Sequence, residues 1–184
     1  MLKTKRGKIT IIIIAIVFAL GFVFFNFNSN DLVETEKVSA ASWIDFELKD
    51  IATGKTFKIS DFNNKPVLLE SFAVWCPTCT KQQRIIKDLH KEVGDSVVSI
   101  SIDTDPNEDE SRVLGHINNN GFNWYYAITP VEMTKSLINQ FGIGIVNAPA
   151  APMVLICGND NVKKLDSGIK SVSELKKEVA NCVI

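Results

Sequence analysis

Cys76 and Cys79 stand three positions apart in Cys76-Pro77-Thr78-Cys79, directly after the apolar run Val67 to Trp75 and ahead of a helical pattern. Two thiols at that spacing on a strand-to-helix junction can close a small disulfide and reopen it. The chemistry they offer is electron transfer between thiols, carried by a redox-active disulfide and needing no cofactor. The first turn of a helix has unpaired backbone N–H groups and the positive end of the helix dipole, which favour a thiolate over a thiol. Cys76, at that end, is the expected nucleophile. Cys79, one turn further in, is placed to attack a mixed disulfide on Cys76 and release the partner in reduced form. Pro77 suits the first turn, where its missing N–H costs nothing.

The elements that must position this pair are legible around it. Ile85, Ile86, Leu89 and Val93 recur at helical spacing, charged residues fill the other face, and Gly94 offers a stop. A bare C-x-x-C is also half of a zinc site, but no second C-x-x-C, C-x-x-H or H-x-x-H accompanies it, and a metal is not expected. His90 and His116 stand alone on predicted helices and read as surface or satisfied structural residues.

Trp75-Cys76-Pro77-Thr78-Cys79 after a β-run resembles the W-C-x-x-C signature of thioredoxin-fold proteins. Together with Trp43 to Asp50, Gly54 to Phe62 and Lys65 to Leu69, it makes residues 43 to 180 similar to the membrane-tethered, TlpA-like thiol-disulfide oxidoreductases. The resemblance implies an α/β, thioredoxin-like fold with an N-terminal β-hairpin and a central helix-strand insertion. It implies an enzyme that reduces or reshuffles disulfides in partner proteins, with Trp75, Pro77, Thr78 and Ala151 against the substrate. A membrane electron donor or acceptor is a further implied partner.

Two roles carry over by position. Glu70, six residues before Cys76, occupies the place of the buried acid that handles the proton of the second cysteine. A carboxyl inside an apolar strand should be desolvated with a raised pKa, as a proton acceptor near neutrality requires. A solvent-facing Glu is the other reading, disfavoured because the run is apolar on both sides of the alternation. In Ala148-Pro149-Ala150-Ala151-Pro152-Met153 the resemblance implies a cis-proline facing the dithiol. Pro152 is preferred because a β-run begins immediately after it; Met153 stands where many relatives have Thr.

A peroxidase on this architecture would need P-x-x-x-[ST]-x-x-C, and the corresponding positions hold Leu69 and Ala73. The non-enzymatic alternative is copper delivery or binding on the same fold, which in such relatives goes with C-x-x-x-C and a distant His. Pro77-Thr78 matches neither a strongly reducing nor a strongly oxidising dipeptide, and a Thr78 hydroxyl offered to the thiolate points to an intermediate to reducing potential. The direction of redox work and the substrate stay open.

Residues 1–8 carry Lys3, Lys5, Arg6 and Lys8, and residues 9–27 hold only Thr10 and Asn26 as plainly polar members. As a helix these nineteen residues would be roughly 28 Å long, close to the thickness of a bilayer core. The basic tail should stay cytoplasmic, leaving residues 28–42 as a tether and 43–184 as one thioredoxin-like domain outside. A cleaved signal peptide is the rival reading, but Val38-Ser39-Ala40 lies well beyond the apolar stretch. Four of the twenty basic residues and none of the twenty-one acidic ones lie in the tail, so the remainder carries a net −5 and has no basic surplus for nucleic acid.

Beyond the helix after the dithiol, strands are predicted at Ser96 to Asp103, Trp124 to Ile128, Met153 to Cys157 and Val162 to Leu165. Helices are predicted from the acidic stretch to about Asn119, over Val131 to Phe141 and over Ser173 to Val183. The acidic stretch Asp103 to Glu110 reads as a solvated loop, and Phe122, Trp124, Tyr125 and Tyr126 as core packing. In the proposed fold Cys157 and Cys182 fall at the end of the domain away from the dithiol. There they either form a structural disulfide or sit unbridged as small buried residues.

Overall fold

Every residue of strand β3, Val67–Phe72, is buried, which is why its sequence shows no polar face. The computed structural model describes residues 42–158 and 161–182. Among them, the main sheet has the strand order β5-β4-β3-β6-β7, with β4 at Val98–Asp103, β5 at Tyr125–Ile128, β6 at Met153–Cys157 and β7 at Asn161–Lys164. β3, β4 and β5 are parallel, while β6 runs antiparallel to β3 and β7 antiparallel to β6. Parallel neighbours need crossover connections, and helices α1 (Pro77–Val93) and α2 (Glu110–Asn120) supply them. Helix α3, Val131–Phe141, follows β5, and α4, Val172–Ala180, follows β7.

The sheet is covered on both sides, so β3 divides its side chains by the two-residue period of a strand. Leu68 and Phe72 pack with Ile86 and Leu89 of α1, Val113 and Ile117 of α2 and Leu175 of α4. Val67 and Leu69 pack with Met133 and Leu137 of α3 and with Trp43, Ile44, Leu48 and Phe57 from the N-terminal segment. Glu70 shares the parity of Leu68 and Phe72. It therefore points into the layer where Cys76 and Cys79 lie.

Several boundaries differ from the sequence expectation. The N-terminal hairpin is reduced to two-residue strands, β1 (Leu48–Lys49) and β2 (Thr56–Phe57), paired apart from the main sheet and flanked by 3-10 turns at Trp43–Asp45 and Ile59–Phe62. The indole of Trp43 instead donates to Gln140 Oε1 on α3 at 2.6 Å, so this segment serves as a cover for the α3 side. β4 begins at Val98 because Gly94–Ser96 forms a 3-10 turn, with Gly94 at φ 57° closing α1. α4 ends at Ala180, so Cys182 lies outside the helix.

The predicted basic tail, membrane span and tether lie outside the described residues, apart from Ser42. Among the described residues no helix is long and apolar enough to cross a membrane.

Candidate active site

Cys76 is the N-cap of α1. Its Sγ accepts a hydrogen bond from the Cys79 backbone N–H at 3.1 Å, and Pro77 occupies the first turn. Cys76 and Cys79 are joined as a disulfide, their Cα atoms 5.3 Å apart, and both are fully buried. Pro77 is exposed and Thr78 half-buried. Thr78 makes no hydrogen bond to Cys76 here; the helix backbone supplies the donor instead. Trp75, 59% exposed, borders the pair, and its indole donates to Asp105 Oδ2 at 2.6 Å. Beside it opens a cleft of about 330 Å³ lined by Ala73, Trp75, Thr104, Asp105, Pro106 and the segment Val146 to Pro149. The larger cleft of about 540 Å³ lies at the start of β4, at the opposite end of the sheet.

Across the pair runs the segment from Ala148 to Pro152. Cys79 Sγ sits 3.2 Å from the Ala148 carbonyl oxygen. In the disulfide the sulfur has no proton to share; once reduced, the thiol has an acceptor already in place. One expectation needs correction here. No peptide bond among the described residues is cis, so Pro152 follows a trans bond. The turn into β6 is made by Ala151, which takes φ 44°, a left-handed conformation that a non-glycine residue rarely adopts. The Ala151 N–H bonds to the Ala148 carbonyl at 2.8 Å, closing a 3-10 turn over Ala148–Ala150, and Pro152 O accepts from Ser71 N–H at 3.2 Å. Pro152 is thereby docked against β3 beside the dithiol layer.

Glu70 is fully buried, flanked by Ser101 on β4 and Met153 on β6. Its Oε2 accepts from the Ser101 hydroxyl at 2.9 Å, and Trp124 Nε1 donates to that hydroxyl at 3.0 Å. Oε1 has no partner, and neither does Nε2 of the facing Gln83. Burial pushes the carboxyl up to about 8, against the opposing pull of Gln83, Ser101 and the Lys170 ammonium. A group that gains and loses a proton near neutrality thus lies in the same layer as Cys79.

The acidic stretch is not simply solvated. β4 extends to Asp103, opposite Phe72, which buries Asp103 beside the segment leading to Cys76. Burial pushes its carboxyl up to about 8, with the neighbouring Glu108 adding to the effect. Glu108 Oε2 accepts from the Val74 N–H at 2.7 Å, so with Asp105 on the Trp75 indole this loop grips both residues before Cys76. The alternation Ser99, Ser101, Asp103 on an otherwise apolar strand was the available signal that β4 turns polar groups toward the dithiol layer.

The histidines are satisfied structural residues. His90 Nε2 lies 2.9 Å from Ser99 Oγ, and His116 Nε2 lies 2.6 Å from Gln83 Oε1. Among the described residues no group of three or more His, Cys, Asp or Glu is arranged to hold a metal ion. Phe122, Trp124 and Tyr126 pack ring against ring in the dithiol-side core, with Phe122 and Trp124 centroids 4.9 Å apart; Tyr125 faces the other layer, 4.8 Å from Phe57. The structure also joins Cys157, at the far end of β6, to Cys182, with Cα atoms 5.3 Å apart.

A family model described as Redoxin matches residues 38–180. The chain is similar to the thiol-disulfide oxidoreductase ResA of Geobacillus thermodenitrificans, 22% identical over 174 residues that cover 92% of this chain and 91% of the relative. A shorter match, 33% identical over 69 residues, covers 36% of this chain and 38% of the thiol:disulfide interchange protein DsbE of Vibrio cholerae. Among solved structures, MTB dsbF superposes with a TM-score of 0.60 at 17% identity, over 77% of this chain and 98% of that one. That likeness speaks for the fold.

Proposed function

The chain belongs to the Redoxin family and is a thiol-disulfide oxidoreductase of thioredoxin-like fold, and from that premise we propose that Cys76 and Cys79 work as a dithiol through a mixed disulfide. The observation that carries this is the Cys76–Cys79 pair at the start of α1, in one buried layer with Glu70. In the reducing direction the Cys76 thiolate attacks one sulfur of a partner disulfide, and the partner's other sulfur leaves as a thiolate. Cys79 then gives its proton to the Glu70 carboxylate and attacks Cys76 Sγ. The mixed disulfide breaks, the partner leaves reduced, and two electrons have passed to it.

The helix N-terminus stabilises the Cys76 thiolate, and Ala148 O orients the Cys79 thiol until its proton is taken. Because both sulfurs are buried when joined, exchange requires Trp75 or the 146–149 segment to give way at the cleft they line. Trp75 lines that opening, with Pro77 and Thr78 next to it in the chain, and these residues form the proposed partner contact; Ala151 and Pro152 are buried behind it and would meet a partner only once the segment moves.

Residues 9–27 are proposed to anchor the chain, with the domain outside and a membrane donor or acceptor of electrons as its redox partner. Right-side-out vesicles carrying the full chain, supplied with dithiothreitol, should reduce added insulin, which cannot cross the bilayer. Vesicles carrying Cys76→Ser should do so only at the uncatalysed rate. Equal rates in the two preparations would contradict the proposal.

A further inference from the structure

A buried lysine is left unexplained by the exchange chemistry. Lys170 precedes α4 and is 8% exposed. Its ammonium donates to the Ala151 carbonyl at 2.6 Å, the residue immediately before Pro152. Its backbone is held on both sides by Gln82 of α1: Lys170 N–H donates to Gln82 Oε1 at 2.7 Å, and Gln82 Nε2 donates to Lys170 O at 3.3 Å. Gln82 is itself fully buried, three residues after Cys79. Two elements distant in sequence thus place this ammonium over the dithiol layer.

A buried ammonium is costly unless it is paired, and one neutral carbonyl is a weak partner for a full charge. The acids whose fields reach it are Glu70, Asp166 and Glu174. Asp166 is exposed, and Glu174 is exposed and taken up by Ser171, whose backbone N–H donates to it at 2.7 Å. Glu70 alone of the three is buried. Around Glu70 stand Ser101 from β4, Gln83 from α1, Met153 from β6 and Tyr126 from β5. Among the described residues acting on it, Lys170 is the one positive charge.

We propose that Lys170 is a positioning residue of the dithiol site, holding the Ala151 carbonyl beside Pro152 while supplying the buried positive charge that a Glu70 carboxylate needs. Before resolution the negative charge is on Glu70, within the field of Lys170. When Cys79 gives up its proton the carboxyl becomes neutral and the charge moves to sulfur, so Lys170 biases how readily Glu70 stands ready as acceptor. The same side chain fixes the buried turn that leads into β6, two residues before Met153, the strand partner of Glu70. The catalytic part of this inference rests on Glu70 being the acceptor.

The test uses the full chain with ¹³C at the glutamate side-chain carboxyls, the Glu70 resonance being identified by its loss in Glu70→Gln. In the oxidised protein, Lys170→Met and Lys170→Gln should each move the Glu70 titration midpoint to higher pH by about one unit or more, and Lys170→Arg should leave it near the wild-type position. Lys170→Gln keeps a donor for Ala151, so it decides the matter if Lys170→Met does not fold. An unchanged midpoint in a folded neutral variant overturns the inference. Resolution rates are followed in parallel. If Glu70→Gln leaves their pH dependence intact, the acceptor reading fails, while the carboxyl titration still decides whether Lys170 supplies the charge.

Discussion

At Glu70 the sign of the pH effect follows from burial. Its folded pKa, about 8, stands above the ordinary 4.5, so the accepting carboxylate is the minor form at neutrality and grows as pH rises through 8. Resolution of a mixed disulfide should therefore quicken about tenfold per pH unit up to that point and then level off. In Glu70→Gln the levelling near pH 8 should vanish, leaving the rise from ionisation of the Cys79 thiol itself, and resolution at pH 8 should slow by about 10²–10⁴-fold. A profile that keeps the wild-type rate and still levels off near pH 8 in the variant would deny Glu70 the role. Stability moves the opposite way: the folded state holds this proton more tightly, so Glu70 costs stability as pH rises from about 4.5 to 8. The cysteines and Glu70 were legible because spacing and an apolar run mark them. Ser101, Gln83 and Lys170 were not, because each reaches the carboxyl from another element and only the strand register and helix docking bring them there.

β6 is the element that ties the two cysteine pairs together. Pro152, at its start, borders the dithiol, and Cys157, at its end, is bridged to Cys182 beyond α4. That bridge closes a loop with a sequence separation of 25 and holds α4 to the sheet, stabilising the domain by about 3 kcal/mol on the loop-entropy estimate. Lys170 lies inside the loop, so the bridge also restrains the segment that carries it. After mild reduction of the Cys76–Cys79 pair, thiol counting on the denatured protein should find two free thiols. Four would mean that the second bridge was absent or equally labile. α3 and β6 follow the sequence pattern to the residue because amphipathic and apolar runs mark their ends. The 3-10 turns at Ile143–Val146 and Ala148–Ala150 leave no such periodic trace, although they build the wall of the cleft.

Over the whole molecule, one sheet with covered faces delivers a helix N-terminus, a buried acid and a proline turn to the same end, while the 540 Å³ cleft at the other end brings together no pair of thiols. The layered architecture was readable from alternating strands and helices. The grip of the acidic loop on Val74 and Trp75 was not, since a run of acids has the same composition whether it is solvated or folded against a neighbour. In the proposed mechanism this arrangement exchanges disulfides through Cys76, with Cys79 resolving. The most direct measurement is capture of disulfide-bearing partner protein by the full chain carrying Cys79→Ser, read as a reducible adduct on a non-reducing gel. Cys79→Ser should accumulate the adduct through Cys76, and the double variant Cys76→Ser/Cys79→Ser should capture nothing. Capture by Cys76→Ser in place of Cys79→Ser would reverse the assigned roles, and capture by neither would contradict the mixed-disulfide mechanism.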